Sequence, residues 1–166
     1  MRLLICLLFV FLLNPCAQAA EPFTSYNVVL LQPGDVLEKR VASVDAMAQY
    51  IKSVQSAVRD AVAASGSKQS VGGFIVVAVR PGAQSKVWLD FDTLVDLGLQ
   101  RQITDKVQAV QPFEARQGPV VFALKVGLWG GKESKRIAPA PAEWKNASRG
   151  GERLEVGELV EKLWRE

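Results

Sequence analysis

The chain contains no histidine and only two cysteines, Cys6 and Cys16. Both cysteines fall within the first 16 residues, so a chain trimmed beyond them has neither thiol nor imidazole. Thiol nucleophiles and Ser-His-Asp arrangements are then excluded. Structural zinc sites built on Cys or His are excluded too, as is haem ligation by those residues. Disulfides, which exported proteins commonly use, have no partners to form. The surviving chemistries are carboxylate acid/base work, Ser-Lys catalysis and an all-oxygen calcium or magnesium site, or none at all. No cofactor is expected. Charge of one sign is also scarce. The formal net charge is +3 and falls to +2 if Arg2 is removed. That is too little to argue for nucleic acid or an anionic membrane as partner.

Long apolar runs are confined to one place. Residues 3–13 are uniformly apolar, preceded by Met1-Arg2 and followed by Asn14-Pro15 and the small residues of Ala17-Gln18-Ala19. This is the three-part pattern of a secretory signal, with cleavage expected after Ala19 or Ala20. The run is about half of the ~20 residues a spanning helix needs, so no stable membrane insertion is expected after cleavage. A lipoprotein site at Cys16 is the rival reading, and Pro15 suits it poorly. The expected location is the periplasm. About 147 residues remain, enough for one domain with an ordinary core.

Within that remainder the elements punctuate clearly. Residues 27–31 are a short apolar run closed by Gln32-Pro33-Gly34-Asp35, a strand and a turn. Ser43 is a suitable N-cap for a long helix, and Val44, Met47, Ile51, Val54, Val58 and Val62 form its stripe. Ser65-Gly66-Ser67-Lys68 stops that helix; it lacks the spacing of a phosphate loop. Residues 74–80 are aromatic and β-branched, a central strand. Pro81-Gly82-Ala83-Gln84 turns it into a hairpin partner over residues 85–90. Asp92 or Thr93 opens a second helical region that Gly98 divides, with Leu99, Ile103, Val107 and Val110 as its stripe. Residues 120–129 are the last strong strand.

The predicted order is βαββαβ. It implies an α+β fold: a four-stranded, mainly antiparallel sheet with two helices on one face, plus a C-terminal tail helix. A ferredoxin-like split βαβ is one closure of that order. The domain proper spans residues 20–131. Residues 132–153, basic at their start and carrying Ala138-Pro139-Ala140-Pro141, read as extended. Residues 154–166 read as a short amphipathic helix packed on the domain, with Leu154, Leu159, Val160, Leu163 and Trp164 on its apolar side.

One stretch resembles a known family. Gly73-Phe74-Ile75-Val76-Val77-Ala78-Val79, Leu89-Asp90, Ala109-Val110-Gln111-Pro112-Phe113 and Val120-Val121-Phe122-Ala123-Leu124 resemble the C-terminal domain of TonB-type energy transducers and TolA. The resemblance covers residues 73–128 and implies an envelope protein that binds other proteins through a sheet edge, with residues 120–124 as the edge strand. That family keeps an uncleaved anchor and a long proline-rich spacer. This chain shows neither, so the resemblance implies a binding fold without energy transduction.

The residues singled out for function follow from these readings. Trp88, Trp129, Lys132, Arg136 and Trp144 are the candidates for contacting a partner, because aromatics beside Lys and Arg are what interfaces favour. The same tryptophans can instead anchor the tail over the sheet. Asp90, Asp92 and Asp96 offer oxygens to a hard cation, or simply place charge near a helix N-terminus. No metal is expected there. The leading expectation is a noncatalytic periplasmic module that binds another envelope or secreted protein; an immunity or inhibitor protein is one version of it. The alternative is a carboxylate-dependent hydrolase acting on envelope material, which requires Asp90 or Asp92 to share a cleft with Glu114. A small-ligand binder would need an apolar pocket between sheet and helices.

Overall fold

The computed structural model describes residues 20–147 and 154–164. The signal region, the sites at Cys6 and Cys16, and the end of the segment read as extended lie outside the described residues.

The helices form where the sequence supplies caps and stripes. After β1 (Phe23–Leu30) comes α1 (Gly34–Arg40), a two-turn helix where the sequence suggested only a turn. Its single buried side chain, Leu37, explains why no periodicity announced it. The long helix α2 (Val44–Ala64) starts at Ser43, whose hydroxyl accepts from the Ala46 amide at 3.2 Å. Its buried side is Met47, Tyr50, Val54, Val58, Ala61 and Val62. The stripe is therefore rotated slightly from the expected one: Val44 is exposed and Tyr50 takes a core position. In α3 (Leu97–Gln108), Asp96 caps by accepting from the Leu99 amide at 3.0 Å, and Leu99, Ile103 and Val107 are buried. Gly98 sits in the first turn and does not split the helix.

Strands β2 (Val71–Arg80), β3 (Gln84–Phe91) and β4 (Val120–Leu128) join β1 in one sheet of order β1-β4-β2-β3. Every neighbouring pair is antiparallel. The expected α+β architecture is the one observed. Both helical crossovers are split: β4 lies between β1 and β2, and β2 lies between β3 and β4. A ferredoxin-like closure instead puts the first and third strands at the centre. Hydrophobicity decides the difference. β2 and β4 are buried along nearly their whole length, while β1, with sequence FTSYNVVL, is half open to solvent. Strands buried on both faces read as continuous apolar runs, and only β2 and β4 do so. Residues 120–124, which the family resemblance placed at an edge, are therefore central.

The sheet carries a core on each face. On the first, α2 and α3 cover Ile75, Val77 and Val79 of β2 and Phe122, Leu124 and Val126 of β4. On the second, Phe74, Val76, Ala78, Val121 and Ala123 are covered by Trp144 and by Leu159, Val160 and Leu163. These belong to α4 (Ala142–Ala147) and α5 (Val156–Trp164). The segment read as extended thus contains a short helix, organised by Trp144.

The chain reaches that second face by a strap, residues 130–141. Gly72 and Gly127 face each other across β2 and β4 and form a flat shelf. A Cβ on Gly72 would overlap the Lys132 carbonyl oxygen, and one on Gly127 would overlap that of Gly131. Glycine inside a strand marks such a close approach of another backbone.

Candidate partner-binding edge

Strand β3 closes one side of the sheet, and among the described residues its outer side pairs with no other strand. The Asp92 amide donates to the Gly72 carbonyl at 2.9 Å. Antiparallel alternation then turns the amides and carbonyls of Asp90, Trp88 and Lys86 toward β2 as well. Those of Ser85, Val87, Leu89 and Phe91 point outward. The side chains sort by the same period of two. Val87, Leu89 and Phe91 join the first core, and Lys86, Trp88 and Asp90 lie on the second face.

Along this edge a groove of about 610 Å3 runs between β3 and the tail helices, lined by Lys86, Val87, Trp88, Glu143, Asn146, Ala147 and Leu163. Its wall is fixed in place. The Lys86 ammonium donates to the Leu163 carbonyl and sits 5.7 Å from the centre of the Trp88 ring. Trp88 and Trp144 meet edge to face, centroids 5.5 Å apart, both almost wholly buried.

Arg136 holds the strap to the same strand. Its guanidinium pairs with the Asp90 carboxylate, donates to the Asp90 carbonyl at 2.7 Å and donates to Asp92 Oδ1 at 3.0 Å. The Ser134 hydroxyl also donates to Asp92 Oδ1, at 2.8 Å, and the Ala140 amide donates to Asp90 Oδ2 at 2.7 Å. The Arg136 guanidinium lies 5.2 Å from the centre of the Phe74 ring.

The five residues singled out for partner contact therefore divide. Trp88 and Trp144 are packed together inside the second core. Arg136 is engaged with Asp90 and Asp92. Lys132 is exposed, on the strap above Gly72. Trp129 is half-buried at the end of β4, with the Lys68 ammonium 5.5 Å from its ring centre. They do not form one patch. Beyond Trp88 and its strand neighbour Val87, which was also missed, the groove residues that the sequence reading did not single out are Lys86, Glu143, Asn146, Ala147 and Leu163. Lys86 was legible, since it shares a face with Trp88 and Asp90 at strand spacing; the others arrive from distant helices.

The carboxylates are dispersed. Asp96 caps α3, and Asp90 and Asp92 are matched by Arg136. Glu114 accepts from the Gly82 amide at the hairpin turn. Asp90 pairs opposite Phe74, eight residues from Gly82 along the hairpin, which at ~3.3 Å per residue is more than ~20 Å away. The cleft a two-carboxylate hydrolase needs is not built from these residues. Among the described residues no group of three or more Asp, Glu, His or Cys side chains is placed to hold a metal ion. Nor is any helix among them long and apolar enough to cross a membrane. Comparison with protein-family models, with curated proteins and with solved structures finds no match to this chain, so the reading of the edge rests on its own geometry.

Proposed function

We propose that the chain is a noncatalytic binding module of the bacterial periplasm that takes an extended segment of another envelope or secreted protein along β3. The carrying observation is the outward row of backbone groups on Ser85, Val87, Leu89 and Phe91, backed by a groove. Strand addition uses these two parts together: main-chain hydrogen bonds supply affinity, and pockets for alternate side chains supply selectivity. The groove floor of Trp88, Ala147 and Leu163 suits apolar side chains at every second position of the partner. Its rim of Lys86, Glu143 and Asn146 suits polar neighbours. The periplasmic part of the reading rests on the signal pattern of residues 1–19, and the family resemblance points the same way.

Hydrogen exchange tests it. In the free protein the amides of Val87 and Leu89 exchange faster than those of Trp88 and Asp90, which the ladder holds. A partner captured from a periplasmic extract should slow Val87 and Leu89 selectively. Asn146→Trp, which fills the groove from an exposed position without touching the ladder, should abolish that capture. A partner that protects β1 and leaves β3 unchanged, or one that binds N146W equally well, would sink the proposal.

A further inference from the structure

The hairpin end of the molecule carries a second concavity, about 390 Å3, between the start of β3 and the exit of α3. Gln84, Ser85, Gln108, Gln111 and Trp164 are among its lining residues, and none of the residues that line it is charged. The Arg80 guanidinium donates to Gln84 Oε1 at 2.6 Å, which leaves the Gln84 amide NH2 available. Arg80 also stacks 4.5 Å from the centre of the Trp164 ring and steadies that wall.

Next to Ser85 in the wall of the concavity lies a buried phenol. Tyr50 is 3% exposed, and among the described residues its hydroxyl makes no hydrogen bond of normal geometry. Burial raises the phenol above its ordinary value, and a side-chain hydrogen-bonding contact with Ser85, which lines the concavity, works against that rise. Ser85 is thus the link between the buried phenol and the cleft, because Tyr50 itself is shut off from solvent and from the cleft surface.

We infer that this cleft binds a neutral, hydroxyl-rich ligand, a saccharide of two or three rings. Three features fix the class. The volume lies in the ~300–1,000 Å3 range of small-molecule sites. The lining offers amide and hydroxyl groups that both donate and accept, matching ligand hydroxyls, and the cation at its rim, Arg80, is engaged by Gln84 and the Trp164 ring. Trp164 supplies an apolar plate for the C–H face of a ring. A ligand hydroxyl at Ser85 completes the chain of hydrogen bonds to Tyr50. This site is independent of the β3 groove, so either can fail without the other.

The test uses the intact protein with two neutral probes, maltotriose and the trimer of N-acetylglucosamine, and one anionic control, trigalacturonate. The expected result is saturable shifts of the Gln84, Gln108 and Gln111 side-chain amide resonances and of the Trp164 indole with at least one neutral probe, and none with the control. The dissociation constant should fall below ~10 mM, an affinity of roughly −3 kcal/mol or better. Gln111→Ala, at an exposed position, and Tyr50→Phe should each weaken binding about fivefold, the worth of one net hydrogen bond. Neither should lower the urea midpoint by more than a little, and Tyr50→Phe should hold it or raise it. No saturation with either neutral probe, shifts that map elsewhere, equal binding of trigalacturonate, or unchanged affinity in both variants would each overturn the assignment.

Discussion

Replacing Arg136 by alanine removes the clip between strap and sheet, and its effect separates a structural role from a partner-contacting one. The Asp90 side chain is 12% exposed, and Arg136 gives it its only ion pair among the described residues. Without the guanidinium, Asp90 keeps the Ala140 amide but stays mostly out of water with its charge unmatched. Breaking a buried pair from one side costs ~3–5 kcal/mol. The Arg136 side chain is 34% exposed, and Asp92 is similarly open, so water recovers part of the loss and the low end applies. Loss of the contact with the Phe74 face adds ~0.5 kcal/mol. The expected destabilisation is about 3 kcal/mol. Equilibrium urea unfolding followed by tryptophan fluorescence reads it as a fall in midpoint of roughly 1.5–2 M, taking a slope of ~1.5–2 kcal/mol/M. Asp90→Asn in the same background should restore part of the loss, with a coupling energy of ~1–2 kcal/mol. If Arg136 faced a partner instead, R136A would leave stability within ~0.5 kcal/mol of the parent, as surface changes do. That outcome, or zero coupling to Asp90, would refute the reasoning.

Three further outcomes follow from the same geometry. Gly72→Ala should cost at least ~2–3 kcal/mol by the same unfolding assay, because the strap backbone has to move off the shelf to admit a methyl group. Trp144→Ala should cost ~3–5 kcal/mol and erase the near-ultraviolet circular dichroism of the Trp88–Trp144 pair; a free, surface-exposed Trp144 would give neither. Tyr50 governs an alkaline effect. Its folded pKa lies above the unfolded value of about 10, so the native state keeps its proton where the unfolded state releases one. Its contribution is complete below pH ~10 and is lost as pH rises through the folded value, at up to ~1.4 kcal/mol per pH unit. Tyr50→Phe should unfold with a flatter pH dependence above pH ~10, and an unchanged slope would contradict the buried-phenol account.

How far the sequence foretold this structure depends on the range of each interaction. Ser43, the stripe beneath it and the Pro81-Gly82 turn are local signals, and they placed α2 and the turn of the β2–β3 hairpin within a residue or two, while β2 starts three residues before the expected position, at Val71. Tyr50 was missed because its amphipathic ring made Ile51 look like the better core position; facing Phe113 and Phe122 reversed that choice. Strand order was latent in composition, since the uncharged but half-polar β1 cannot fill a position buried on both faces. It was not legible as order, because nothing local says which strand a given edge will meet. The groove was the least legible part. Asp90 and Arg136 are 46 residues apart, and Lys86 and Leu163 are 77 apart. Trp88 and Arg136 were expected to contact a partner, and in the structure both are engaged within the chain, with Trp144 and with Asp90 and Asp92. Their hydrogen bonds and packing hold the wall of the groove, and the edge proposed to bind is the outward-facing backbone of β3 beside it.

The central position of β4 also dictates when the fold can exist. Phe23 pairs with Leu128 and Leu30 with Phe122, about a hundred residues apart along the chain. β1 has no partner until β4 has been delivered, and β2 and β3 alone make a two-stranded ribbon, which is marginal in water. A chain emerging from a pore with its N-terminus first therefore stays unfolded until nearly its last strand is through. Closure of the sheet is then a late, single event that inserts β4 between two waiting strands. Strand order alone thus ties completion of the sheet to delivery of its last strand.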